Sequence, residues 1–380
     1  MTAQTLHSRF TEARAKTDQL FRMVKQDAMY DRPIPERHRI VFYVGHLEAF
    51  DRNLLAVDTG TQAELDRLFA FGIDPVDGNL PSDIPSDWPK LETVYGYRDE
   101  TRRELDRLIG SASEEKINVA IEHRLMHAET LGYIFHQMPF DRKHGVSSQT
   151  ISADLPPAQW IRIPAGETTL GLNRNSGVFG WDNEFDELRV SVPEFAVAKR
   201  KVSNSGFLQF LNEGGYTDRG LWSPSDWEWK TAQGISHPVF WVKRGDRWNY
   251  RSMFEEIPLP LAEPVFVSHA EASAYARWAG KALPSESQWQ RAAYGAFGLE
   301  GAIGTGWEWT STEFAPFPGF RPMPFYPGYS EPFFDGKHYV LKGGSAETAP
   351  VMRRPSFRNW FQPHYQYVYA GFRCIEKESR

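Results

Sequence analysis

The chain has 380 residues with 43 Lys and Arg against 49 Asp and Glu, a net charge of −6. That balance supplies no basic face for nucleic acid or an anionic membrane, and no apolar run approaches the roughly 20 residues of a spanning helix. The opening stretch lacks the apolar core of a signal peptide, and a single cysteine, Cys374, excludes an internal disulfide or a site built on two thiolates of this chain. The expectation is a soluble, cytoplasmic protein of about two domains with no nucleic-acid or membrane partner.

Composition divides the chain near residue 150. Of 13 tryptophans only Trp88 precedes residue 151, and glycine falls 8 against 22 across the same point. The expected domains are therefore 1–150 and 151–380. In the first, one helix is predicted over 10–29, with Leu20, Phe21, Val24 and Ala28 on a core-facing stripe. A second starts after Pro35 and carries Ile40, Val41, Val44, Leu47 and Leu54. Residues 69–90 hold Pro75, Pro81, Pro85, Pro89, Gly72 and Gly78, which break regular structure. This long segment reads as an ordered lid in which Leu80, Ile84 and Trp88 pack. A third helix covers 94–108. The fourth follows Ser113 as N-cap, with Glu114 and Glu115 in its positive first turn, and stops before Pro139. Four helices of this length predict an all-α, up-down four-helix bundle.

From residue 151, short strand-like runs (WIRIP, LRVSVPEFAVA, HYVLKGG) alternate with Gly/Pro/aromatic loops, and helices are predicted over 269–279 and 286–294. WEWTS (307–311) and KGGS (342–345) read as tight turns. The second domain is thus expected to be α+β, held by aromatic packing.

The sharpest chemical feature is EHRLMHAE, residues 122–129. His123 and His127, four apart on a helix, share one face with Ala120, Leu131 and Ile134, the spacing of two ligands to one metal ion. Two surface histidines are the plainer alternative. A zincin helix is excluded, because Arg124 rather than Glu follows the first histidine. A third ligand must come from another helix. His46, aligned with Phe42, Phe50 and Asn53, is the first candidate; His38 is its rival, although Arg37 and Arg39 flank it as if in solvent. Three neutral imidazoles suit Fe(II), Zn(II) or Cu(II), and spacing does not choose among them. The stretch from 357 to 374, FRNWFQPHYQYVYAGFRC, reads either as a loop core or as a cage for a cationic ligand.

These segments together resemble the non-haem iron sulfoxide synthases of ergothioneine biosynthesis, which join a DinB-like helical bundle to a formylglycine-generating-enzyme domain, a C-type-lectin relative. The likeness runs nearly end to end. It is carried by His46 in its helix, HRLMHAE, GWDNE at 180, PVFVSHAEASAYARWAGKALPSESQWQRAAY from 264, WEWTS, PFPGF at 316, YSEPFF at 329, VLKGGS at 340, RNW at 358 and AGFRC at 370. The resemblance implies that His46, His123 and His127 bind Fe(II), and that Asn359 and Trp360 line a pocket for hercynine. There Trp360 would face the trimethylammonium group. It further implies O2 as co-substrate and a tyrosine as proton donor, for which Tyr326 and Tyr329 are the candidates.

Several departures concern the second substrate. Relatives using γ-glutamylcysteine have arginines after the loop that follows the second helix, where this chain has SDIPSDWPK. Those using free cysteine carry a tyrosine pair where residues 70–74 read AFGID. A frequent RNWD aspartate is Phe361, a pocket glutamine is Met126, and GGSWAT reads GGSAET. Without carboxylate-clamping arginine, and with Asp83, Asp87 and Glu347 available for sugar hydroxyls, the donor side is similar to the selenoneine synthase branch, which joins hercynine to a selenosugar. The alternatives are a thiol donor such as cysteine or γ-glutamylcysteine, giving an ergothioneine-type sulfoxide, and a non-catalytic lectin-like binding protein.

Overall fold

In the computed structural model, which describes residues 3–55, 63–70, 80–146 and 157–377, the chain divides into two compact units, Met1–Ser147 and Ser148–Arg380. The first is helical: α1 (Ala3–Phe21), α2 (Ile40–Leu55), the short α3 (Ala63–Phe69), α4 (Leu91–Leu108) and α5 (Glu114–Gln137). Helix α1 packs on α5, α2 on α4, and α2 also on α3 and α5. At the start of α5 the Ser113 hydroxyl accepts the Lys116 amide at 3.4 Å, the cap the sequence prescribes. Helix α1, however, ends at Phe21 rather than near 29. Beyond it the backbone pairs with the segment after α5: Lys25 N–H donates to the Arg142 carbonyl (3.1 Å) and His144 N–H to the Met23 carbonyl (2.7 Å). This tertiary pairing overrides the helical stripe through Val24 and Ala28.

Within α2 every residue except Phe50 and Asn53 is buried, so the Val44/Leu47 stripe does not separate an inner from an outer face. Residues 71–79 of the expected lid, including most of the AFGID segment, lie outside the described residues. Of the three apolar side chains expected to pack there, Leu80 and Ile84 are instead 57 % and 55 % exposed. Trp88 does pack, 5.9 Å from Phe42 and 6.3 Å from Phe69 between ring centroids. Among the described residues no helix is long and apolar enough to cross a membrane.

The second unit contains, in order, β1 (Trp160–Ile163), β2 (Gly166–Leu170), β3 (Leu188–Val192), β4 (Phe195–Ala198), α6 (Asn204–Asn212), α7 (Pro224–Ala232), β5 (Trp241–Arg244), β6 (Arg247–Arg251), β7 (Glu256–Pro258), α8 (His269–Trp278), β8 (Lys281–Ala282), α9 (Glu286–Tyr294), β9 (Trp307–Glu313), β10 (Tyr339–Lys342), β11 (Asn359–Phe361), β12 (Ala370–Gly371) and β13 (Ile375–Glu376). Two sheets, β1-β4-β13-β8 and β11-β10-β9-β12, are supplemented by a β2-β3 pair and a β5-β6-β7 meander. Among the described residues only β12 on β9 is parallel.

WEWTS is therefore not a turn but the beginning of β9. Trp307, Glu308 and Trp309 are all buried, so both faces of the strand are covered and no inside–outside alternation is visible in its sequence. KGGS is a turn, and it needs glycine. Gly343 has φ +95°, and a Cβ there would lie 2.2 Å from the Ala302 carbonyl oxygen.

Helix α8 opens with a capping box in which the Ser268 hydroxyl accepts the Glu271 amide and the Glu271 carboxylate accepts the Ser268 amide. Its first residue, His269, stacks on Tyr339 at 3.8 Å and reaches the Thr310 carbonyl at 3.2 Å. Burial pushes this imidazole down to about 4, against the raising effects of Asp226 and the Thr310 hydrogen bond. An unfolded histidine titrates near 6.5, so the unfolded chain takes up the proton first as pH falls. The stabilisation is complete above about pH 6.5 and is lost toward pH 4, up to about 3 kcal/mol. Denaturation followed by tryptophan fluorescence, dominated by the second unit, should show this loss in the native chain. It should be smaller by about that amount in a His269→Gln variant.

Candidate metal centre

Helices α2 and α5 bring His46, His123 and His127 together, with one ring nitrogen of each within 4.8 Å of the others. The 3.6-residue repeat puts His123 and His127 one turn apart, and their Nε2 atoms lie 3.2 Å from each other. His46 joins them from α2, its ring centroid 4.9 Å from His127 and 5.5 Å from His123. Its Nδ1–H donates to the Phe69 carbonyl at 2.8 Å, leaving Nε2 as the lone-pair atom. The approach of Phe69 depends on Gly45, where a Cβ would lie 2.4 Å from the Phe69 ring. Aromatic rings fix the imidazole planes: Phe42 stacks on His46 at 4.8 Å and Phe50 on His123 at 3.4 Å. The rival, His38, packs at a tilt against Phe42, 4.1 Å between ring centroids, and lies outside the cluster.

All three imidazoles are held neutral. Burial pushes His46 down to about 4, although the Phe69 hydrogen bond opposes it. His123 and His127 are driven well below the ordinary value by burial and then by neighbouring imidazoles. Neutral imidazole is the form that binds metal. Metal–nitrogen bonds of about 2.1 Å at 90–109° place donor nitrogens about 3.0–3.4 Å apart, which the His123–His127 separation satisfies. The donor set thus fits a divalent transition ion with positions left over for substrates.

A layer of buried charge adjoins the histidines. Arg124, wholly buried, donates to the Leu47 carbonyl (3.1 Å), to both oxygens of Glu48 (3.1 Å each) and to Asp51 (2.5 Å). Arg102 of α4 also reaches Glu48 (2.7 and 3.0 Å) and pairs with Asp18 of α1 through two 2.8 Å bonds. Burial alone would raise Glu48, but Arg124 and Arg102 outweigh it and hold the carboxyl near 2. Burial and the Glu48 charge push Asp51 up to about 6 despite Arg124. In sequence Arg124 does no more than exclude a zincin helix. Its partners lie more than seventy positions away, so no local pattern announces them.

The candidate substrate-contacting residues are distributed over both units. Met126 is half-buried on α5 between the paired histidines. Asp83 is not a free acceptor. Arg32 and Trp88 hydrogen-bond its carboxylate, and Arg39 contacts both its carboxylate (2.9 Å) and its backbone carbonyl (2.7 Å). The SDIPSDWPK segment, arginine-free in sequence, therefore receives two arginines from the stretch before α2. Asp87 caps its own turn by accepting the Ile84 amide at 2.8 Å, and its side chain is exposed. Glu347 is exposed, and its amide donates to the Ser345 hydroxyl.

In the second unit Asn359 Oδ1 accepts the Trp360 amide. Trp360 stacks on Phe314 at 4.2 Å and meets Tyr329 and Phe333 at 5.3 and 5.5 Å. Phe361 stacks on Tyr365 at 5.1 Å. Tyr329 is buried face-to-face on Trp181 at 3.9 Å, whereas Tyr326 is half-exposed. The loop bearing both tyrosines is gripped by GWDNE: Asp182 accepts from the Met323 amide (3.4 Å) and from the Ser330 hydroxyl, to which Asn183 also donates at 2.9 Å.

Residues 9–140 match the DinB superfamily, and residues 147–297 and 294–378 match the sulfatase-modifying factor enzyme 1-like domain. The chain is 31 % identical to the hercynine oxygenase of Mycolicibacterium thermoresistibile, covering 71 % of this chain and 70 % of the relative. It is 34 % identical to that of Mycolicibacterium smegmatis over 56 % of this chain and 60 % of the relative. To ergothioneine biosynthesis protein 1 of Schizosaccharomyces pombe it is 29 % identical over 93 % of this chain and 54 % of the relative. The chain thus spans between 54 % and 70 % of the length of these curated relatives. It belongs to the family that couples a DinB-superfamily helical domain to a sulfatase-modifying factor enzyme 1-like domain and that includes the hercynine oxygenases.

Proposed function

We propose that this chain is an oxidoreductase acting on hercynine, with Fe(II) held by His46, His123 and His127. The observation that carries the reading is the buried, neutral three-histidine cluster in a chain whose relatives are named hercynine oxygenase. When bound there, Fe(II) would supply one-electron and O2 chemistry. The protein's own contribution is to keep the imidazoles unprotonated, to orient His46 through the Phe69 carbonyl and to bury the centre. Trp360, in its cluster with Phe314, Tyr329 and Phe333, has the composition that receives a trimethylammonium group, with Asn359 beside it. Of the two tyrosines proposed as proton donor, Tyr326 is the better placed to meet a ligand, because Tyr329 is stacked beneath Trp181.

For the second substrate we propose a selenosugar, joined to hercynine through a carbon–selenium bond. Support comes from the SDIPSDWPK segment, where the arginines that reach it, Arg32 and Arg39, are both bonded to Asp83, so their donors are already partly engaged rather than presented to a donor carboxylate. The second reading, a thiol donor giving an ergothioneine-type sulfoxide, is favoured by the names of the relatives. The test is turnover of the Fe(II)-loaded chain with hercynine and O2. A selenosugar, cysteine and γ-glutamylcysteine compete in one vessel, and products are read by mass spectrometry. A selenium-containing adduct is the expected dominant product. A sulfur adduct in its place would transfer the chain to the second reading, and no hercynine adduct of either kind would remove both.

A further inference from the structure

We infer that Arg124 is the positioning residue of the three-histidine centre, bracing the helix that carries His46 against the helix that carries His123 and His127. The inference rests on the reading of those histidines as metal ligands. A helix places two ligands one turn apart by its own geometry, but the third ligand's distance depends on how closely and at what rotation a second helix is held. Arg124 follows His123 directly in the chain, and its guanidinium hydrogen bonds land on α2 just past His46, at Leu47, Glu48 and Asp51. The bond to the Leu47 carbonyl fixes α2 along its axis. The bonds to two carboxylates on successive turns fix its rotation. A guanidinium presents these donors in one rigid plane, which a lysine ammonium does not reproduce.

The brace is itself anchored. Glu48 Oε1 also accepts from Arg102, and Arg102 pairs with Asp18 of α1, so each of the four long helices contributes to one charge layer, buried at Arg124, Glu48 and Asp51 and partly exposed at Arg102 and Asp18. Glu48 and Asp51 also offset the guanidinium charge beside a centre that takes a dication. Arg124 touches neither metal nor substrate in this role and acts through His46.

The test uses the full-length, metal-free chain titrated with Co(II), whose visible absorption reports both affinity and coordination geometry. It compares the native sequence with Arg124→Met, Arg124→Lys and Asp51→Asn, each checked for helical content by circular dichroism. Arg124→Met should lose roughly 10- to 100-fold in Co(II) affinity, the range typical of outer-shell partners, and should shift the Co(II) bands. Arg124→Lys should behave like the Met variant rather than the native chain. Asp51→Asn, nearly isosteric and still able to accept a hydrogen bond, should move affinity and bands in the same direction by less. Folded variants with native affinity and native bands would overturn the inference. If Arg124→Met does not fold, native behaviour of Asp51→Asn overturns it equally. A native chain that fails to bind Co(II) would remove the centre and the inference together, whereas native binding with unchanged variants removes the inference alone.

Discussion

Alanine in place of His127 is expected to empty the metal centre while leaving the helical unit folded. Structural zinc sites with four ligands bind with about 10–16 kcal/mol, roughly 2.5–4 kcal/mol for each ligand, so losing one costs roughly 10²- to 10³-fold in affinity. The remaining pair, His123 and His46, come from different helices and lack the one-turn spacing that fixes the 3.2 Å separation. The fold should survive, because α1 on α5 and α2 on α4 are packed through buried side chains that the substitution leaves in place. Metal analysis after gel filtration should therefore give near one equivalent for the native chain and a background value for His127→Ala, with circular dichroism unchanged. Turnover of hercynine should fall with the metal. Full metal content in the variant would show that the three histidines are not a ligand set.

The largest expected effect on stability lies in the second unit. Arg373 is fully buried and forms two parallel bonds to Glu308, at 2.6 and 2.7 Å. It also donates to the carbonyls of Ala198 (3.0 Å), Lys199 (2.9 Å) and Glu300 (3.2 Å). Burial would raise Glu308, yet Arg373 and Lys201 hold it below the ordinary carboxyl range, so it is ionised at neutral pH. Removing Arg373 leaves Glu308 charged and buried with only the more distant Lys201 ammonium, 3.6 Å away, to offset it. Arg373→Met should cost about 3–5 kcal/mol, read as a lower urea midpoint in tryptophan fluorescence. Adding Glu308→Leu to that variant should recover part of the loss, since the carboxylate left with Lys201 as its one remaining cation is then gone. A double variant no better than the single one would place the cost in the orphaned carbonyls instead of the stranded charge.

The same pair shows what the sequence makes legible. Helix starts are local events, and Ser113, Ser268 and Ser285 announce theirs through caps that the structure contains. Helices α6 and α7 carry the same signal, with Ser203 and Ser223 as caps and Pro224 in the first turn of α7, but it is obscured among aromatic and glycine-rich neighbours. Strand β9 is hidden for a different reason. Glu308 sits between two tryptophans and reads as polar, yet it is buried because Arg373, 65 positions later, neutralises it. At the candidate centre the His123–His127 spacing is visible in eight residues, and His46 is one of two readable candidates. What decides for His46 is the Phe69 carbonyl, 23 positions away, and the close approach that Gly45 permits. Arg32 and Arg39, separated by about fifty and forty positions from Asp83, escape a segment-by-segment reading in the same way. Local rules thus disclose caps and ligand spacing, while long-range charge pairs require the fold.

Three histidines from two helices are proposed to hold one redox-active ion. The most direct measurement is X-ray absorption at the iron edge on the anaerobic, Fe(II)-loaded chain. The expected result is one iron per chain with three imidazole nitrogens at about 2.1 Å, reduced in number or lost in His46→Ala. An iron signal fitted by oxygen donors alone, or unchanged when His46 is replaced, would contradict it.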